Sequence, residues 1–143
     1  MCGYGSPMRI SAKVDYAIRA MLELTAAGTL VKGEAIATAQ SIPQKFLENI
    51  LLDLRHAELV ASRRGVEGGY LLARSAAEIS IADVIRAVEG PIATVRGARP
   101  DEVVYEGPAA ALGPLWIELR GAMRGVLEET TLADIVSRSR QGA

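Results

Sequence analysis

The sequence predicts a mainly α fold with one small β-hairpin wing: a winged helix-turn-helix followed by a long C-terminal dimerisation helix. Three observations predict it. Residues 59–74, LVASRRGVEGGYLLAR, set two short apolar runs around a glycine-rich bend that carries two arginines. Residues 34–57 read as helix, turn and helix. Residues 109–129 hold an apolar stripe at helical spacing, beyond what the smaller unit needs to close its own core.

The elements follow in order. Residues 1–7, MCGYGSP, have neither a basic segment nor an apolar one, so they read as a disordered extension rather than a signal peptide. Ser11 is placed to cap a helix over 12–27, with Val14, Ala17, Ile18, Met21 and Leu22 at helical spacing and Gly28 at its end. A short helix over 34–40 should bury Ala35, Ile36 and Ala39. Ser41-Ile42-Pro43 interrupts it, with Ser41 as N-cap and Pro43 in the first turn of the next helix, which runs to Ala57. That helix buries Leu47, Ile50, Leu51 and Leu54, leaving Gln44, Lys45, Glu48 and Asn49 on other faces near its start.

In the wing, Leu59 to Ala61 and Tyr70 to Ala73 are the strands. Gly65, Gly68 and Gly69 supply the backbone freedom that closes a tight hairpin. Arg63 and Arg64 cannot be buried cheaply, so they project, and phosphate oxygens suit their planar forks best. Beyond the wing, Ser80 to Asp83 begins a short connecting helix that ends at Gly90-Pro91. Residues 92–108 are an irregular loop, and residues 109–129 the long helix, whose seam is Leu112, Leu115, Trp116, Leu119, Ala122, Met123, Val126 and Leu127. Thr131 and Asp134 start a last helix through a capping box. The chain therefore divides into an extension (1–7), a winged helix-turn-helix DNA-binding domain (8–74), a connecting helix (75–91), a regulatory loop (92–108) and a dimerisation helix with its C-terminal helix (109–143).

At 143 residues, half of them hydrophobic and 23% charged, the chain is globular in composition. No apolar run approaches the ~18 residues needed to span a bilayer, and a single cysteine excludes an internal disulfide. Both point to the cytoplasm and to no membrane partner. No nucleophile–base pair, phosphate loop or metal-ligand spacing is present, so an enzyme is not expected and neither is a metal or cofactor. His56 follows Arg55 at a helix end, where a positive charge is favourable. Glu128 and Glu129 are adjacent and point apart, a poor arrangement for paired acid–base chemistry.

Helix, turn, helix and basic hairpin within about 40 residues point to double-stranded DNA. The helix starting near Gln44 would read base edges: glutamine can pair with adenine, and glutamate can accept from cytosine. Charge sets a condition on this reading. Residues 8–74 hold nine Lys/Arg against seven Asp/Glu (net +2), and residues 75–143 hold seven against ten (net −3). So few phosphate contacts per subunit call for a homodimer on a palindromic operator. Near-neutral charge also keeps open a winged-helix protein–protein interaction module that grips an acidic surface. A redox or ligand sensor acting through the 92–108 loop is compatible with DNA binding.

Five segments, MRISAKVDYAIRAML (8–22), IPQKFLENIL (42–51), RRGVEGGYLLAR (63–74), ISIADVIRAVEGP (79–91) and LEETTLADIV (127–136), resemble the Rrf-type winged-helix regulators typified by IscR, NsrR and CymR. The resemblance spans nearly all of 8–139 in order and spacing. It implies a homodimeric bacterial transcription factor, usually a repressor. By the same resemblance Ser41, Gln44, Lys45 and Glu48 fall on recognition-helix positions, and Arg64, beside Arg63, falls on a wing arginine that enters the minor groove. Many members hold an iron–sulfur cluster on three cysteines in the loop before the long helix. Here residues 92–108 contain neither Cys nor His, and the whole chain offers only Cys2 and His56. Asp15 falls on a ligand position of some relatives, but one carboxylate cannot replace the thiolates. The expectation is a cluster-free regulator whose signal comes from a metabolite or a partner protein.

Overall fold

The computed structural model describes residues 10–90 and 98–142. The N-terminal extension, Cys2 and residues 92–97 of the expected loop lie outside the described residues. The helices are α1 (Ala12–Ala27), α2 (Gly33–Gln40), α3 (Gln44–His56), α4 (Ile81–Glu89), α5 (Leu112–Glu129) and α6 (Leu132–Gly142). Strands β1 (Val60–Arg63) and β2 (Gly69–Leu72) form an antiparallel hairpin between α3 and α4. Short 3-10 turns occupy Ala76–Glu78, Pro100–Glu102 and Gly107–Ala111.

Local chemistry sets most of the boundaries. The Ser11 hydroxyl accepts the Val14 amide and donates to Glu89, joining the start of α1 to the end of α4. Gly28 stops α1 in the left-handed conformation, its N–H on the Leu24 carbonyl. α4 opens on a capping box, with the Ser80 hydroxyl accepting the Asp83 amide while the Asp83 carboxylate accepts the Ser80 amide, each at 3.0 Å. Thr131 and Asp134 repeat that exchange at α6. One continuous core gathers Met21 and Leu24 of α1, Ile36 of α2, and Leu47, Ile50, Leu51 and Leu54 of α3. Leu59 and Val60, Val84 of α4 and Leu132 of α6 complete it. α6 packs back on α1. Two reciprocal backbone bonds, Ile81 N–H to the Thr130 carbonyl and Leu132 N–H to the Ile79 carbonyl, stitch the starts of α4 and α6 together.

Several local expectations change. Ser41 does not cap α3. It ends α2 in the left-handed conformation (φ 52°, ψ 48°), its N–H bonding the Ala37 and Thr38 carbonyls. Pro43, at the N-cap position, leads into α3 at Gln44, so the Ser41 hydroxyl is too far upstream to reach the first free amides. α2 buries Ile36 and Ala37, whereas Ala35 and Ala39 are exposed. Spacing alone left the rotation of so short a helix undetermined. α5 begins at Leu112 rather than near 109, preceded by a 3-10 turn. Pro114 then occupies the third position, where its missing N–H has no helical acceptor in any case. Part of the expected loop is also ordered as the turn Pro100–Glu102.

Candidate nucleic-acid interface

The hairpin pairs Val60 with Leu72, Ala61 with Leu71, Ser62 with Tyr70 and Arg63 with Gly69. Ser62 and Arg63 therefore belong to a strand, and the bend is residues 64–68. The glycines at its foot are required by contact. A Cβ on Gly68 would fall 2.0 Å from the Arg63 carbonyl oxygen, and one on Gly69 2.7 Å from the Val31 carbonyl oxygen. The second approach is close because the wing gains a third edge. Val31 and Tyr70 exchange N–H···O bonds in both directions at 2.8 Å. Next to that bridge, the Lys32 ammonium donates to the Val66 carbonyl at 2.7 Å and the Gly68 carbonyl at 3.4 Å, strapping the bend to the start of α2.

α3 is fixed from both flanks. Toward α1, Tyr16 meets Phe46 edge to face with ring centroids 5.8 Å apart, and Lys13 pairs with Asp53 at 3.0 Å. Toward the wing, Arg55 donates to the Ser62 hydroxyl at 3.1 Å. The three core leucines and one isoleucine of α3 set its rotation, leaving Gln44, Lys45, Glu48 and Asn49 exposed.

Lys32, Arg55, Arg63 and Arg64 line one cleft of about 480 Å³ between the wing and the start of α2, with Ser62 and a single carboxylate, Glu34. Ion pairs among the described residues lie elsewhere, on Lys13, Arg19, Arg86, Arg99 and Arg124, so the four cleft cations are uncompensated. Glu67, on the same bend, forms an ion pair with neither wing arginine.

The structure thus brings Arg63 and Arg64 together and sets Gln44 at the edge of their cleft: its amide nitrogen would lie 3.8 Å from a Cβ on Gly33. Lys45 and Glu48 lie on the exposed face of α3, apart from the cleft, and Ser41 is exposed in the turn before it. Sequence reasoning did not bring Lys32 or Arg55 to this cleft. Asn49, which it set beside Glu48 at the start of α3, is exposed there. Arg55 resembled an ordinary cation at a helix end, and only the fold-back of β1 sets it against Ser62. Trp116, expected on the α5 seam, donates its indole N–H to the Tyr105 hydroxyl at 3.1 Å within the chain.

A model of the Rrf2 family, described as an iron-dependent transcriptional regulator, matches residues 10–138. A Mycobacterium tuberculosis protein named as an HTH-type transcriptional regulator is 55% identical over 130 residues, covering 90% of this chain and 81% of that protein. The HTH-type transcriptional regulator CymR of Bacillus subtilis is 37% identical over 134 residues, covering 91% of each. Among solved structures, that of CymR, titled the global cysteine regulator of B. subtilis, superposes with a TM-score of 0.78 at 35% identity, covering 92% of this chain and 98% of the other. The IscR of T. potens superposes with a TM-score of 0.78 at 28% identity, covering 94% and 90%.

Proposed function

The chain belongs to the Rrf2 family of transcriptional regulators, proteins that bind DNA and are not enzymes. From that premise we propose that it acts in the cytoplasm as a homodimeric repressor on a palindromic operator. The observation that carries the reading is the side-by-side placement of the exposed start of α3 and a cleft holding four uncompensated cations. In this reading Lys45 and Arg63 chiefly meet phosphate, while Gln44, Glu48 and Arg64 contribute base or groove readout, with Ser41 in the turn that sets the angle of α3. Residues 8–74 are the DNA-binding unit, and residues 109–143 supply the pairing helix.

The dimer is supported by α5, none of whose residues is buried within one chain. Met123 and Leu127 pack on the chain's own core. On the adjoining flank Leu112, Leu115 and Val126 are exposed, Leu115 at 49% and Val126 at 66%, and Ala122 between them is exposed as well. An apolar flank of that length is most simply covered by the same flank of a second copy. Pairing would set two α3 helices roughly one DNA turn, about 34 Å, apart.

The donor set supports regulation without an iron–sulfur cluster. A cluster takes several thiolate or imidazole ligands, and the chain carries one cysteine and one histidine. Among the described residues no three metal-ligating side chains converge, and Asp15 is engaged by Arg19 at 3.0 Å. The signal then reaches α5 or the loop before it from a metabolite or a partner protein.

Genomic footprinting followed by fluorescence titration on the recovered sites tests the reading. The expected result is salt-sensitive preference for inverted-repeat sites over random duplex. Stoichiometric capture of an acidic protein surface, with no affinity for duplex, would replace DNA binding with a protein-interaction role.

A further inference from the structure

The cleft between the wing and α2 contains two cations to which the reading above gives no individual role, Lys32 and Arg55. Arg55 sits in the last turn of α3, while recognition helices contact bases from their first turns. Among the described residues its guanidinium makes one hydrogen bond, to the neutral Ser62 hydroxyl, which leaves its charge uncancelled. Lys32 spends its ammonium on two carbonyls, which holds the bend but likewise leaves the charge unpaired. Gly33 and Glu34, the opening residues of α2, line the same wall, and the N-cap residue Lys32 makes no side-chain capping bond. Four cations with one carboxylate give the cleft a positive potential that favours an anion.

We infer that this cleft is a seat for one backbone phosphate of the duplex, with Arg55 as a direct phosphate ligand and Lys32 as the residue that positions the wing around it. The inference rests on the DNA-binding reading and deepens it. α3 and the wing are not independent probes of the two grooves: the phosphate between those grooves locks into the cleft that joins them, fixing the register of both. Arg55 and the two adjacent wing arginines line the cleft, and each can offer a forked pair of donors to a tetrahedral oxyanion.

Because a phosphate contact carries no sequence information, a random-sequence duplex is a sufficient probe. The full-length protein is titrated by fluorescence anisotropy across a series of salt concentrations. The expected result is that Arg55→Gln lowers the slope of log affinity against log salt by about 0.9 for each subunit engaged, near two for a dimer. Arg55→Lys, which keeps the charge, and Ser62→Ala, which removes only the hydrogen bond, should both retain the wild-type slope. Arg138→Gln, on the exposed side of α6, should also leave it unchanged. A wild-type slope in Arg55→Gln overturns the phosphate seat while leaving DNA binding intact. Slope loss in Ser62→Ala equal to that in Arg55→Gln also overturns it, since Arg55 would then serve only to brace β1. Salt-independent or absent duplex binding by the wild type would instead defeat the DNA-binding reading itself. Should Arg55→Gln unfold, operator duplexes carrying a single neutral methylphosphonate, moved along the backbone, decide instead: a slope loss of about 0.9 at the phosphate between the two contacted grooves of each half-site supports the seat, and no loss there overturns it.

Discussion

Arg64 follows the last paired position of β1, and Gly68 closes the bend in front of it. The arginine is exposed and ion-paired to no described carboxylate, so its full charge is available at the wing tip. Arg64→Ala should weaken operator binding by about 1–3 kcal/mol and relax preference at the base pairs beneath the wing. Equal operator affinity for variant and wild type at matched salt would remove Arg64 from the interface. Gly68 acts differently. A Cβ there meets the Arg63 carbonyl oxygen at 2.0 Å, a contact only backbone movement can relieve. Gly68→Ala should therefore misplace Arg63 and Arg64 together, costing operator preference to a degree comparable with Arg64→Ala. The melting temperature should fall less than for a core truncation, because the bend lies outside the main core. Retained operator preference in Gly68→Ala would mean that the bend geometry does not matter to recognition.

At the scale of elements, the junction of α4, α5 and α6 is held by carboxylates. Arg86 donates to Glu128, and Arg124 reaches the same carboxylate at 3.3 Å, tying α4 to the end of α5. The Arg86 hydrogen bond, aided by Arg124, holds the Glu128 carboxyl below its ordinary range. The Thr131 backbone amide and then its hydroxyl do the same for Asp134 at the start of α6. A carboxyl whose folded value is depressed contributes stability above its unfolded value and loses it as pH falls through the folded one. Glu128→Gln and Asp134→Asn should each melt below the wild type at neutral pH, and the gap should close as the pH drops below about 4. Thermal scans of the three proteins across that range decide it. A gap independent of pH would show that these groups act through shape rather than charge.

The whole molecule divides its apolar surface unevenly. α1, α3 and α4 bury their stripes in one core, while α5 keeps Leu112, Leu115 and Val126 exposed. Leu115→Glu sets a charge on that flank without touching the core residues. It should yield a folded monomer by sedimentation, with operator affinity reduced at least tenfold, about 1.4 kcal/mol or more, because each subunit offers few phosphate contacts on its own. A Leu115→Glu protein that remains dimeric would move the pairing surface away from α5.

Much of the fold was legible in sequence because its signals are local. Ser11 and Gly28 bound α1, Ser80 with Asp83 starts α4 and Thr131 with Asp134 starts α6, each through hydrogen bonds within a few residues. The strand pairing around Gly65, Gly68 and Gly69 obeys the same short-range rule, and it placed Arg63 and Arg64 on the wing. Other features depend on residues far apart in the chain. The role of Ser41 turned on where α3 begins, and the buried side of α2 on what packs against it. No local pattern joins Val31 to Tyr70, Lys32 to the bend, or Arg55 to Ser62, pairs separated by up to 39 residues. The sequence by itself therefore determined the helices, the caps of α1, α4 and α6, and the arginine-bearing hairpin. Only tertiary structure decided that four cations share one cleft and that α5 splits its stripe between its own core and open surface, because both follow from packing between elements rather than from hydrogen bonds within them.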